Sequence, residues 1–116
     1  MSDTSFCKLE TVSTVLVATL LREKVGEYES PIVRAEVEAA AGAAKWRVVL
    51  DLSEVQMVAS AGLGMLVTLN NAAKKGGGKL ALCKLEPTLR QVFEMTKLHR
   101  VLTLCDTREQ AVKAVS

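Results

Sequence analysis

Among the residues able to do chemistry, Ser60 has the most telling position. The run Val55-Gln56-Met57-Val58-Ala59-Ser60-Ala61-Gly62-Leu63-Gly64-Met65-Leu66 follows the strand-like Trp46-Arg47-Val48-Val49-Leu50-Asp51-Leu52, so a hydroxyl sits where a loop hands over to a helix. A helix N-terminus has unpaired backbone N–H groups and the positive end of the helix dipole. A hydroxyl there caps the helix, and a phosphate there is well accommodated. Two readings follow: an N-cap and a phosphorylation switch.

The other reactive side chains find no partners in the pattern. Lys74-Lys75-Gly76-Gly77-Gly78-Lys79 suggests a phosphate loop, but that loop needs a strand before it, a helix after it and Ser or Thr after the lysine. Here a helix-like segment precedes, a strand-like one follows and Leu80 comes next, so the glycines read as a helix stop. His99 is the only histidine, which excludes a histidine metal cluster; after Lys97 it suits a terminal helix carbonyl or water. Cys83 and Cys105 lie in or beside apolar strands, where cysteine behaves as a small hydrophobe. Asp51 ends a strand, so it is either a catalytic carboxylate or a turn aspartate bonded to the following backbone. With no acid, base or metal ligand beside it, the turn role is preferred, and no catalytic residue, metal or cofactor is assigned.

Composition bounds the answer. The 116 residues fit one domain, residues 1–116, with 49% apolar and 24% charged side chains and few aromatics. A net charge of +2, without clustering of Lys and Arg, argues against direct nucleic-acid binding. Cys7, Cys83 and Cys105 form no Cys-x-x-Cys pair, and neither a signal peptide nor a long apolar span is evident, so no membrane role is expected and the chain reads as reduced and cytoplasmic.

These residues need a frame to hold them. Ser5 to Leu21 has the β propensity of two antiparallel strands; Ser30-Pro31 reads as a capped helix start. Val48-Val49-Leu50 is a continuous apolar run of the kind covered on both faces, which implies helices on both sides. A second helix is predicted from about Ala61 to Lys75, then a strand over Lys79 to Leu85 and a third helix opened by Glu86-Pro87. A short strand at Val101 to Leu104 precedes a last helix, with Asp106-Thr107-Arg108-Glu109 as its capping box. The pattern predicts an α/β domain with a mixed, mostly parallel sheet of four to five strands and about four helices.

The second helix carries a broad apolar arc. Projected at about 100° per residue, Leu63, Leu66, Val67 and Ala73 form its centre and Met65, Leu69 and Ala72 one margin. One sheet face needs only a stripe of about 100° or a little more. The margin is therefore either covered by a neighbouring element or exposed beside Ser60 as a partner-binding surface.

Taken together, Val48-Val49-Leu50-Asp51-Leu52-Ser53, Val55 and Ser60-Ala61-Gly62-Leu63-Gly64 resemble the STAS domain of bacterial anti-sigma factor antagonists. The likeness runs from about Leu16 to the C-terminus and is weakest over residues 1–30. In that family the pattern is Asp-Ser-(Ser or Thr)-Gly-Leu-Gly, and the serine after the aspartate is phosphorylated by a kinase that is also the anti-sigma factor. Ser60 occupies that position, with Ala59 in place of the aspartate and Ala61 in place of the second hydroxyl residue. The acidic turn Gly26-Glu27-Tyr28-Glu29 lacks the family's aspartate.

The resemblance implies a STAS-like fold and an anti-sigma factor antagonist, not an enzyme. Its partner would be an anti-sigma factor/serine protein kinase, contacted through Ala59, Ala61, Gly62, Met65 and Leu69. Phosphorylation at Ser60 would switch it off and a serine phosphatase would reset it; ATP, Mg²⁺ and any general base belong to the kinase. The alternative, to which Ala59 and Ala61 point, is a non-switching structural STAS module in a larger sensory or signalling assembly. A small enzyme using Asp51, Ser60 or a cysteine is the third reading, and it lacks a base.

Overall fold

Alternation along the strands sorts the core into two layers. The computed structural model describes residues 6–116. In chain order its elements are β1 (Cys7–Val12), β2 (Val15–Leu20), β3 (Lys24–Val25), α1 (Glu29–Ala41), β4 (Arg47–Asp51) and β5 (Met57–Val58). There follow α2 (Ser60–Lys75), β6 (Lys79–Cys83), α3 (Pro87–Met95), β7 (Thr103–Cys105) and α4 (Arg108–Val115).

The main sheet has five strands in the order β1-β2-β4-β6-β7. Its one antiparallel pair is β1–β2; β2–β4, β4–β6 and β6–β7 are parallel. Because successive side chains point to opposite faces, Leu16, Ala18, Val48, Leu50, Leu80 and Leu82 pack on one side with Val33, Leu66, Leu69 and Phe93 of α1, α2 and α3. Val15, Val17, Val49, Ala81 and Cys83 pack on the other with Ala111 and Val115 of α4. Leucines fill the space under three helices, while valine, alanine and cysteine suffice under one short helix. This is the α/β architecture expected, with helices on both faces of the Val48–Leu50 strand.

Several boundaries differ from the sequence reading. α1 begins at Glu29, so Ser30 is inside its first turn and its hydroxyl donates to the Gly26 carbonyl (2.6 Å) instead of capping. The capping box of α4 is Thr107 with Gln110, one residue later than predicted, and β7 starts at Thr103. Ser5, the start of the predicted N-terminal strands, lies outside the described residues. The parallel two-residue ladder β3–β5, separate from the main sheet, was not predicted. The glycines after α2 do more than end it: an added Cβ on Gly76 would lie 2.5 Å from Trp46 Cδ1, and one on Gly78 would strike the Trp46 carbonyl. They let Trp46 pack against the chain, and Lys79 N–H donates to the Trp46 carbonyl at 2.9 Å.

Candidate functional site

The small β3–β5 ladder positions Ser60. Lys24 pairs with Met57 and Val25 with Val58, the N–H groups of Gln56 and Met57 donate to the Glu23 carbonyl, and Ala59 N–H donates to the Val25 carbonyl at 3.0 Å. The first turn of α2 then rests directly on β3. A Cβ on Gly62 would lie 2.5 Å from the Val25 carbonyl oxygen and 2.6 Å from Val58 Cγ1, so only glycine permits this approach. Gly62 is thus a packing residue, buried beneath the surface it was expected to contribute to.

Ser60 is not the N-cap. Ala59 holds that position, with extended backbone (φ −81°, ψ 175°), and its carbonyl accepts the first helical hydrogen bond from Leu63 N–H (3.0 Å). Its methyl group cannot accept a hydrogen bond, and α2 has no side-chain cap. Ser60 is the first residue inside the helix, exposed, with exposed Ala61 next to it, exposed Gly64 one turn on and half-buried Ala59 before it. Met57, on β5 just before α2, is 55% exposed. Sequence reasoning missed Met57, because two residues are too few to show which side of a strand each one faces.

The Met65–Leu69 margin of α2 is not at the surface. Met65 is 5% exposed and Leu69 0%, which corrects their assignment as contact residues. The buried arc of α2 is Gly62, Met65, Leu66, Leu69, Asn70 and Ala73, whereas Leu63 and Val67, expected at its centre, are half-buried. At one edge of that arc the Asn70 amide donates to the Val101 carbonyl over a long 3.4 Å. α1 packs against α2, and the opposite edge, with Met65 and Leu69, joins α1's Val33 and Val37 in one cluster. Of the predicted contact residues, Ala59 and Ala61 accompany Ser60 at the surface.

The acidic turn borders the same site. A Cβ on Gly26 would come 3.9 Å from that of Ala59 and 3.4 Å from Lys24 Cε. The Glu29 carboxylate accepts Gly26 N–H at 2.9 Å, which, with the nearby Lys24 and Arg22, holds its pKa below the ordinary carboxylate value. Tyr28 projects from this turn and is largely exposed.

The remaining candidates are tied into the fold. Asp51 Oδ1 accepts Ser53 N–H (2.9 Å), and its Oδ2 accepts from Arg108 (3.0 Å), which also binds Glu10 and Thr19, each at 3.2 Å. Burial alone would raise the Asp51 pKa, but hydrogen bonds from Ser53 and Arg108 outweigh it and lower the pKa. Burial and the Asp51 charge push the Cys83 thiol up to about 12, so it stays protonated among apolar neighbours. His99 Nδ1 lies 3.4 Å from the Phe93 carbonyl at the end of α3. Among the described residues no group of three or more His, Cys, Asp and Glu is arranged to hold a metal, and no helix is long and apolar enough to cross a membrane.

A doubly covered, mostly parallel sheet with an exposed serine at the start of its second helix defines the class. The STAS domain model matches residues 11–111, and the chain belongs to the STAS domain family. BtrV of Bordetella bronchiseptica, described as a candidate anti-sigma factor antagonist, is 29% identical over 106 residues, 91% of this chain and 90% of its own. The crystal structure of a candidate anti-sigma factor antagonist of Thermotoga maritima, TM1081, superposes with a TM-score of 0.81 at 23% identity, over 94% of this chain and 93% of that one. SpoIIAA of Bacillus, solved in its phosphorylated form, superposes with a TM-score of 0.66 at 20% identity, over 93% and 97%.

Proposed function

We propose that this protein is an anti-sigma factor antagonist that docks on an anti-sigma factor/serine kinase around Ser60 and is released when Ser60 is phosphorylated. The observation that carries this reading is exposed Ser60 at the first position of α2, between the small apolar Ala59 and Ala61, with exposed Gly64 one turn on and exposed Met57 on the preceding strand. Phosphate adds roughly −1.5 to −2 charges there, which an apolar contact cannot solvate. The uncapped start of α2 favours negative charge, so the modification acts on the interface and leaves the fold intact. Gly62, Met65 and Leu69 support the contact from beneath. A separate serine phosphatase resets the switch.

The test compares capture of the partner kinase by wild type, Ser60→Ala and Ser60→Asp, with the phosphate mapped after incubation with kinase and ATP. Wild type and Ser60→Ala should bind alike, Ser60→Asp should bind more weakly by about 2 kcal/mol, or thirtyfold, and the phosphate should map to Ser60. Equal binding by Ser60→Asp, or modification only elsewhere, defeats the switch. A stable complex indifferent to kinase and ATP would instead favour the non-switching structural module, the reading motivated by Ala59 and Ala61.

A further inference from the structure

At the end of the sheet away from Ser60, a groove of about 540 Å³ runs between the β1–β2 hairpin and the C-terminal end of α1. It is hollow because of the sequence: where the helix and its following turn face it they present Ala40, Ala43 and Ala44, whose methyl groups are too short to close it. Leu9 consequently stays 41% exposed, while Cys7, on the same face of β1, is 5% exposed. Leu9, Leu16, Ala40 and Ala44 make the apolar walls, and Lys45 and Arg47 line the same space. Neither cation has a carboxylate partner among the described residues; Arg47 donates only to the Thr14 hydroxyl (3.2 Å). Glu10, the acid in the lining, is engaged by Arg108 at 3.2 Å. The groove therefore combines apolar walls with two uncompensated positive charges, in a volume typical of small-molecule sites, about 300–1,000 Å³.

We propose that this groove binds a small amphipathic anion, a single alkyl chain carrying one carboxylate. The chain lies along Leu9, Leu16, Ala40 and Ala44, and the carboxylate is held by Lys45 and Arg47. The site uses neither Ser60 nor the surface around it, so it stands whether or not Ser60 is a switch.

The test is an amide NMR titration of the full chain with hexanoate, octanoate and decanoate below their micelle-forming concentrations, with octanamide as the neutral control. Saturable shifts should centre on Leu9, Leu16, Ala40 and Lys45, and affinity should rise about fourfold per buried methylene. The Lys45→Gln/Arg47→Gln double variant should lose about tenfold for octanoate and nothing for octanamide. Ala40→Leu, which narrows the groove along the alkyl path, should weaken binding of both. Shifts that do not saturate, that lie elsewhere, or that are equal for octanoate and octanamide overturn the proposal, as does binding unchanged in Ala40→Leu. Should Ala40→Leu lose its dispersed spectrum, the double variant decides, because Lys45 is exposed and half-buried Arg47 bonds only to the Thr14 hydroxyl, so neither change opens the core.

Discussion

Ala59 combines the backbone of a capping residue with a side chain that cannot cap. Its extended φ and ψ and the Leu63 N–H bond to its carbonyl are those of an N-cap, yet the N–H groups of the first turn of α2 receive nothing from it. Supplying an acceptor should stabilise the fold without moving the backbone. Ala59→Asp is expected to add about 1 kcal/mol, a rise in Tm of about 4 °C for a domain of this size, and Ala59→Ser somewhat less because it brings no charge to the helix dipole. Thermal melts of the two variants beside wild type check this; a lower or unchanged Tm for both means that the first-turn N–H groups gain nothing from an acceptor at this position. The same substitution puts a carboxylate next to Ser60, so the stability and interface effects of position 59 are separable by measuring both.

At the scale of the element, α2 is positioned by what it cannot accommodate. Gly62 and Gly64 are one half-turn apart, but only Gly62 touches β3; around Gly64 an added Cβ meets nothing within 4 Å. Gly62→Ala should cost at least about 2 kcal/mol, because overpacking against a backbone carbonyl outweighs the gain in helix propensity. Gly64→Ala should gain up to about 1 kcal/mol. Urea denaturation of the pair checks the opposite signs, and destabilisation of similar size in both would refute the contact with β3. The ends of α2 were legible because a glycine run stops a helix and the apolar pattern starts one. Its rotation was not, since Leu63 and Val67 are as apolar as Met65 and Leu69, and which arc is covered depends on where α1 lies. The cap was misplaced by one residue because only the extended backbone of Ala59 separates cap from first turn. A two-residue ladder such as β3–β5 has no period to detect, so the device that holds Ser60 was invisible in the sequence while Ser60 itself stood out.

For the whole molecule, one charged cluster joins parts of the chain that no local pattern connects. Arg108 opens α4 and reaches Asp51 at the end of β4, 57 residues away, as well as Glu10 on β1 and Thr19 on β2. α4 has only 8 residues, fewer than the roughly 12–15 an isolated helix needs to persist in water. Its place on the sheet therefore depends on Ala111 and Val115 beneath it and on this tether. Asp51 was legible as a turn aspartate through Ser53; an acid closing an apolar strand also calls for a buried cation, but nothing in the sequence says which. Because hydrogen bonds from Ser53 and Arg108 lower the Asp51 pKa on folding, its ionised form stabilises the protein above the ordinary carboxylate value of about 3.9. That contribution is lost as pH falls through the lower folded-state pKa, where the native carboxylate finally protonates. Asp51→Asn should thus cost about 2 kcal/mol at pH 7, or about 8 °C in Tm, and the wild-type advantage should shrink as the pH is taken below about 3.9. Melting curves of both proteins from pH 7 downward measure the gap; a gap that stays constant to the acid end would show that the Asp51 carboxylate is not what secures α4.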